Sequence, residues 1–146
     1  MRFAVFACGL AVLAACEPAA LVKAPPPPPE QIGDVDWTLV GFRGSRVPDG
    51  SFIADLSGGF IAGEGPCNRI NGNYLGTGEV FLVETVVTTK STCDGLTLEQ
   101  DIIEALLLIE AARVDNGVLF LFDENDSPIM SFLPYYPPVE PETAAS

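Results

Sequence analysis

Two segments constrain this chain more than any other part of it: Gly63-Glu-Gly-Pro-Cys-Asn-Arg-Ile-Asn-Gly-Asn-Tyr74 and Thr88-Thr-Lys-Ser-Thr-Cys93. Each holds one of the two cysteines outside the N-terminal leader, and between them lies Val80 to Val87, rich in residues that favour strands. Cys67 and Cys93 read as one disulfide closing a β-meander, which stabilises a loop of this size by roughly 3 to 4 kcal/mol in the chain-entropy model. That is a large share of a small domain's margin of ~5–15 kcal/mol. The rival reading is a structural zinc site, which needs four ligands. The chain has no histidine and only these two available thiols, so no metal or other cofactor is expected.

The remaining cysteines point to export. Arg2 gives a minimal positive start, Phe3 to Leu13 an apolar run, and Leu13-Ala14-Ala15-Cys16 matches a lipobox. The run is shorter than the ~20 residues of a membrane span. Residues 1–15 are therefore expected to be a lipoprotein signal peptide that takes Cys8 with it, leaving Cys16 as the lipidated N-terminus. A plain secretory signal or an uncleaved anchor is the alternative. Glu17 follows Cys16 in place of the aspartate that usually retains lipoproteins at the inner membrane. Resemblance to sorted lipoproteins thus implies the outer membrane, with the domain facing the periplasm.

Removing residues 1–15 takes away Arg2 and no acid, moving the formal net charge from −13 to −14. Such a surface repels phosphate backbones, so nucleic acid is excluded as a partner, while a basic protein is electrostatically favoured. No polybasic patch adds to membrane attachment, which falls to the lipid anchor. The acids also serve simply to keep a small exported domain soluble.

Residues 16–34 form a lipidated, proline-rich linker in which Pro25 to Pro29 favours an extended rod. Residues 134–146 lack periodicity and are expected to be a disordered tail. Residues 35–133 are the folded unit, enough for one core. Its short apolar runs are bounded by glycine, asparagine and aspartate. The expected strands are Asp36 to Phe42, Ser51 to Leu56, Phe60 to Gly63, Ile70 to Leu75, Glu79 to Val83, Thr85 to Lys90, Val114 to Asp115, Val118 to Phe122 and Ile129 to Leu133. Asn116-Gly117 is the strongest tight-hairpin signal. One helix interrupts the series, with Thr97 and Gln100 as a capping box and Glu99 and Asp101 in its first turn. Ile102, Leu106 and Ile109 repeat at helical spacing, and the helix is expected to end near Ala112 or Arg113. The fold class is mainly β: a small antiparallel β-meander or barrel-like domain with one α-helix packed on it.

A Ser-His-Asp or Cys-His engine cannot be built without histidine. Cys67 lacks an imidazole base and has Cys93 as its partner. No carboxylate pair stands out among the 20 acids for glycoside cleavage. No catalytic residue is therefore assigned. The turn Asp123-Glu124-Asn125-Asp126 lacks the glycine and distal glutamate of a calcium loop and reads as a solvated hairpin turn. Asn68, Arg69, Asn71, Asn73 and Tyr74 form a polar cluster with two readings: turn chemistry beside Gly72, or a patch that binds a peptide or glycan. Trp37 is assigned to the core.

These residues resemble the META/HslJ domain family of bacterial envelope proteins over Asp36 to Leu133. Trp37-Thr-Leu39 looks like its W-x-L strand, and Gly63 to Tyr74 resembles its G-x-x-G-C-N-x-x-x-G-x-Y signature. Thr89-Lys-Ser-Thr-Cys93 resembles its T-[KR]-M-A-C segment, with Glu99 and Leu106 following on the helix, and Val118 to Leu121 its late strand. Pro66 stands where the family has glycine, and Ser91 where it has methionine. The resemblance implies a β-barrel-like envelope domain associated with stress responses and antibiotic tolerance. It implies no shared catalytic mechanism.

Overall fold

The computed structural model describes residues 26–27, 29–76 and 78–138, so the expected signal peptide, Cys16, most of the expected linker and the end of the tail lie outside the described residues. Among these residues the chain order is β1 (Asp36–Phe42), β2 (Ser45–Arg46), β3 (Ile53–Asp55), β4 (Phe60–Glu64), β5 (Arg69–Leu75), β6 (Leu82–Thr88), α1 (Leu96–Leu106), β7 (Ala111–Asp115), β8 (Val118–Phe122) and β9 (Pro128–Tyr135). All nine strands join one antiparallel sheet in the order β6-β5-β4-β3-β1-β9-β8-β7, with β2 paired to β1.

Two-residue alternation builds the interior. Leu119 and Leu121 of β8, Met130 and Phe132 of β9, and Ile70 and Tyr74 of β5 all point inward. Along β1, Trp37 and Leu39 are fully buried, and a register shift against β9 between Leu39 and Gly41 resets the alternation so that Phe42 is buried too. A side chain at Gly41 would strike the Ser131 hydroxyl, which would have to turn away to admit it. Further register shifts lie in β5–β6 and β8–β9, and such bulges add the twist that curls a sheet. Trp37 is core, as expected, and its indole N–H donates to the Ile32 carbonyl at 2.7 Å.

The curl brings the two sheet edges together without pairing them as strands. The Phe81 N–H donates to the Glu110 carbonyl at 2.8 Å, and the Ala112 N–H to the Gly78 carbonyl at 2.9 Å. Arg113 clamps the same seam, with Nε and Nη2 on the Glu79 carboxylate at 3.1 and 3.2 Å and Nη1 on Asp126 at 2.7 Å. Its guanidinium lies 4.4 Å from the Phe122 ring centre. Beyond this overlap β6 keeps β5 on one side and has no strand on the other among the described residues. Among the described residues, no turn or loop hydrogen bond reaches its backbone between Leu82 and Thr88. The sheet is therefore curled rather than closed, and Ile102, Ala105 and Leu106 of α1 cover its core.

Several boundaries differ from expectation. The runs Glu79 to Val83 and Thr85 to Lys90 are one strand, β6, preceded by a turn at Gly78–Glu79. Glu84 does not break it, because its carboxylate lies outside and accepts from Asn73 Nδ2 at 2.6 Å. The helix stops at Leu106 instead of Ala112 or Arg113. Ala111 and Ala112 are taken by the β8 ladder opposite Phe122 and Leu121, which overrides their helix propensity. The capping box does not form either. The N-cap is Gly95 with no side-chain cap, and Thr97 already lies inside the helix. A Cβ on Gly95 would come 2.6 Å from Pro66 Cβ, so the helix start has no room for a capping serine or threonine. Strand β9 runs two residues past Leu133, to Tyr135. The Asn116-Gly117 hairpin is as expected, with φ of 48° and 77° in the two-residue turn between Asp115 and Val118.

Candidate functional site

The two cysteine segments meet at the N-terminus of α1. Cys67 and Cys93 are disulfide-bonded, with Cα atoms 5.8 Å apart. Next to them Asn68 is buried, and every hydrogen-bonding position of its side chain is used. Its Nδ2 donates to Glu99 Oε1 at 2.6 Å and to the Ser91 carbonyl at 3.1 Å. Its Oδ1 accepts from the Ser91 N–H at 2.6 Å and the Thr89 hydroxyl at 2.8 Å. Asn68 thus stitches the first cysteine segment to the second.

Glu99 completes the arrangement. It is 1% exposed, yet its carboxylate has three donors, because Oε2 also accepts from the Cys67 and Asn68 N–H groups at 2.8 and 2.7 Å. All three partners donate and none accepts, which matches the acceptor-only nature of an ionised carboxylate. Each such charge-assisted bond is worth about 1.5–3 kcal/mol net, offsetting the cost of burying the charge. Gly65 closes the loop by donating to the Asn68 carbonyl at 2.8 Å. A Cβ there would sit 2.9 Å from Glu99 Oε2.

Both departures from the family pattern fit this geometry. Ser91 is exposed and serves the network through its backbone N–H and carbonyl alone, so loss of methionine costs it nothing. Pro66 needs no N–H, and its carbonyl lies 3.4 Å from Cys93 Sγ.

The loop before β5 and alternation along it divide the expected binding patch between the interior and the surface. Asn68 and Tyr74 are buried, while Arg69 and Asn71 are exposed and Asn73 is half-buried on the outer face of β5. Arg69 pairs with Glu64 at 2.9 Å, next to Asn71, which lies opposite Ala62 and Val87. Asn71 and Asn73 line a shallow depression of about 680 Å³ with Phe60, Thr85 and Val87. Tyr74 stacks on Phe81 with ring centres 4.1 Å apart and donates to the Leu56 carbonyl at 2.6 Å. Burial raises its phenol above the usual 10.0, and the Asp55 carboxylate adds to this against a backbone hydrogen bond at Gly59. At the seam, Glu79 and then Asp126 raise the Arg113 guanidinium above its ordinary value. The acidic turn is a hairpin connection in which Asp123 Oδ1 accepts from the Asn125 and Ser127 N–H groups at 2.9 and 3.0 Å. Cys16 lies outside the described residues.

Sequence reasoning gives Glu99 a place in the first helical turn, where the dipole favours acids, and no part in the network. A signal was present, because Glu99, Ile102 and Leu106 fall on one helical stripe, so the acid lies on the apolar face. Thr89 and Ser91 were missed as partners of Asn68, and nothing local in the sequence marks them.

Comparison with known proteins agrees with this architecture. No curated protein is significantly similar to the chain. Among solved structures, the chain is similar to the NMR structure of a protein from Burkholderia xenovorans, at 22% identity with a TM-score of 0.58. That likeness covers 82% of this chain and 97% of that one. It is also similar to a DUF4847 family protein from Bacteroides vulgatus, at 17% identity with a TM-score of 0.57, covering 70% of this chain and 93% of the other. At these identities the likeness shows the fold alone. The model of the META domain, however, matches residues 30–134, and with the cysteine segments, Asn68 and the curled sheet in place, the chain belongs to the META domain family.

Proposed function

We propose that this chain is a non-enzymatic lipoprotein of the bacterial cell envelope, held to the outer membrane through Cys16, that supports envelope stress tolerance by binding contacts. The observation that carries the reading is how the signature polar residues are used. Asn68 and Glu99, the buried polar side chains at the heart of the cysteine segments, have their hydrogen-bonding groups committed to holding backbone. Nothing in that cluster is held ready for proton transfer or nucleophilic attack, which supports a scaffold that presents surface. The disulfide supports an oxidising compartment, where such bonds persist. Labelling cells with palmitate tests the anchor: the wild-type chain takes up label and Cys16→Ser does not. Label-free wild type in the soluble fraction would reject the lipoprotein reading.

A second reading, that the chain binds or inhibits a basic envelope protein such as a lysozyme-like hydrolase, is favoured by the charge of −13. Among the described residues Arg46, Arg69 and Arg113 are each paired with acids, so Arg43 and Lys90 are the basic side chains outside such a pair. A pull-down from envelope extract tests it. Basic proteins should be retained at low salt and released as the screening length falls from ~10 Å near 0.1 M to ~3 Å near 1 M.

A further inference from the structure

The open seam leaves a groove that the fold does not fill. Leu82 and Val83 at the start of β6 form one wall, and Leu107 and Leu108 just past α1 form the other, around about 280 Å³. Leu82, Leu107 and Leu108 are 43%, 50% and 56% exposed. Glu110, Asp123 and Glu124 line the same groove, and no cation does. Glu110 and Glu124 make no side-chain hydrogen bond or ion pair among the described residues. The C-terminal end of α1 also points here, and its last turn carries no basic residue to balance the negative end of the helix dipole. Beside the groove, the outer edge of β6 from Leu82 onward has no backbone hydrogen bond among the described residues.

We infer that this groove docks a cationic amphipathic peptide segment, with leucine-like side chains on the floor and lysine or arginine on the rim. Charge complementarity selects the occupant. A second copy of so acidic a chain, or an anionic lipid head group, would meet Glu110, Glu124 and the helix carbonyls with like charge. A neutral apolar peptide would leave them unanswered. The inference rests on the basic-partner reading and gives it a place and a chemical class.

The test uses the mature chain from residue 16, exported and oxidised, with Cys16→Ser to keep it in water. The probe is a fluorescein-labelled peptide of repeating Leu-Lys-Lys-Leu, read by anisotropy, with the Lys-to-Glu peptide as control. The cationic peptide should bind and the anionic one should not. Leu107→Ser with Leu108→Ser should weaken binding about tenfold, the loss expected when two half-exposed leucines no longer bury against a ligand. Glu110→Lys with Glu124→Lys, which leaves the leucines intact, should weaken it by a similar factor. Phe60→Ser with Val87→Ser, which line a separate depression and not the groove, should not change it. Unaltered binding in both groove variants, or equal loss in the Phe60/Val87 variant, overturns the groove while leaving a diffuse acidic-surface reading in place. No binding of the cationic peptide, together with no basic protein retained from envelope extract, overturns both.

Discussion

Replacing Glu99 with glutamine keeps the volume and removes the charge, and so isolates what the buried carboxylate does. The wild-type group receives three hydrogen bonds, from the Cys67 and Asn68 N–H groups and Asn68 Nδ2. A glutamine offers one acceptor oxygen and turns an NH2 group towards at least one remaining donor. One or two buried donors are then left unsatisfied, each costing about 1–3 kcal/mol. The expected loss is about 3 kcal/mol, of the same order as breaking a buried charged pair. For a domain of this size that lowers the thermal midpoint by roughly 12 to 24 °C, at about 4–8 °C per kcal/mol. Urea unfolding of the oxidised domain measures it directly, with Glu104→Gln on the exposed face of the same helix as control. The control should lie within about 0.5 kcal/mol of wild type. A loss of that small size in Glu99→Gln itself would refute the reasoning, since the carboxylate would then not be holding the loop.

Reducing the disulfide, or replacing both cysteines with serine, should cost roughly 3 to 4 kcal/mol by equilibrium unfolding. Arg113→Ala should cost little in global stability, about 1 kcal/mol for a partly exposed pair. It should instead speed hydrogen exchange at the Phe81 and Ala112 amides, the two that close the seam. Because the Tyr74 phenol is raised in the folded state, the unfolded chain ionises first. Its contribution is therefore intact below the ordinary value of 10.0 and is lost as pH rises beyond it. Tyr74→Phe should flatten that alkaline limb of the stability curve.

What the sequence disclosed and what it hid divide along physical lines. Alternation within single strands, the glycine-dependent turn at Asn116-Gly117 and the pairing of two cysteines are local or arithmetical facts, and each is legible. The burial of Trp37 follows from its apolar bulk. The end of the helix was not legible, because Leu107 to Arg113 contains no glycine or proline to stop it. What stops it is the β8 ladder, a partner that arrives later in the chain. The capping box failed for a similar reason, since Gly95 is pressed on Pro66 from a segment about thirty residues away. In the polar cluster, Asn68 turns inward from the loop, while alternation along β5 turns Tyr74 inward and Asn71 and Asn73 outward. The register of β5 against β4 and β6 sets that phase.

With their side chains fully engaged, buried Asn68 and Glu99 should hold the cysteine loop as firmly as the ladders hold the sheet. Native-state hydrogen exchange at the Cys67 and Asn68 amides tests this most directly, because both lie outside any strand or helix. Bonded to Glu99, they should exchange only through global unfolding, as slowly as the central amides of β1 and β9. Exchange at the rate of an exposed loop, with the sheet still protected, would contradict it.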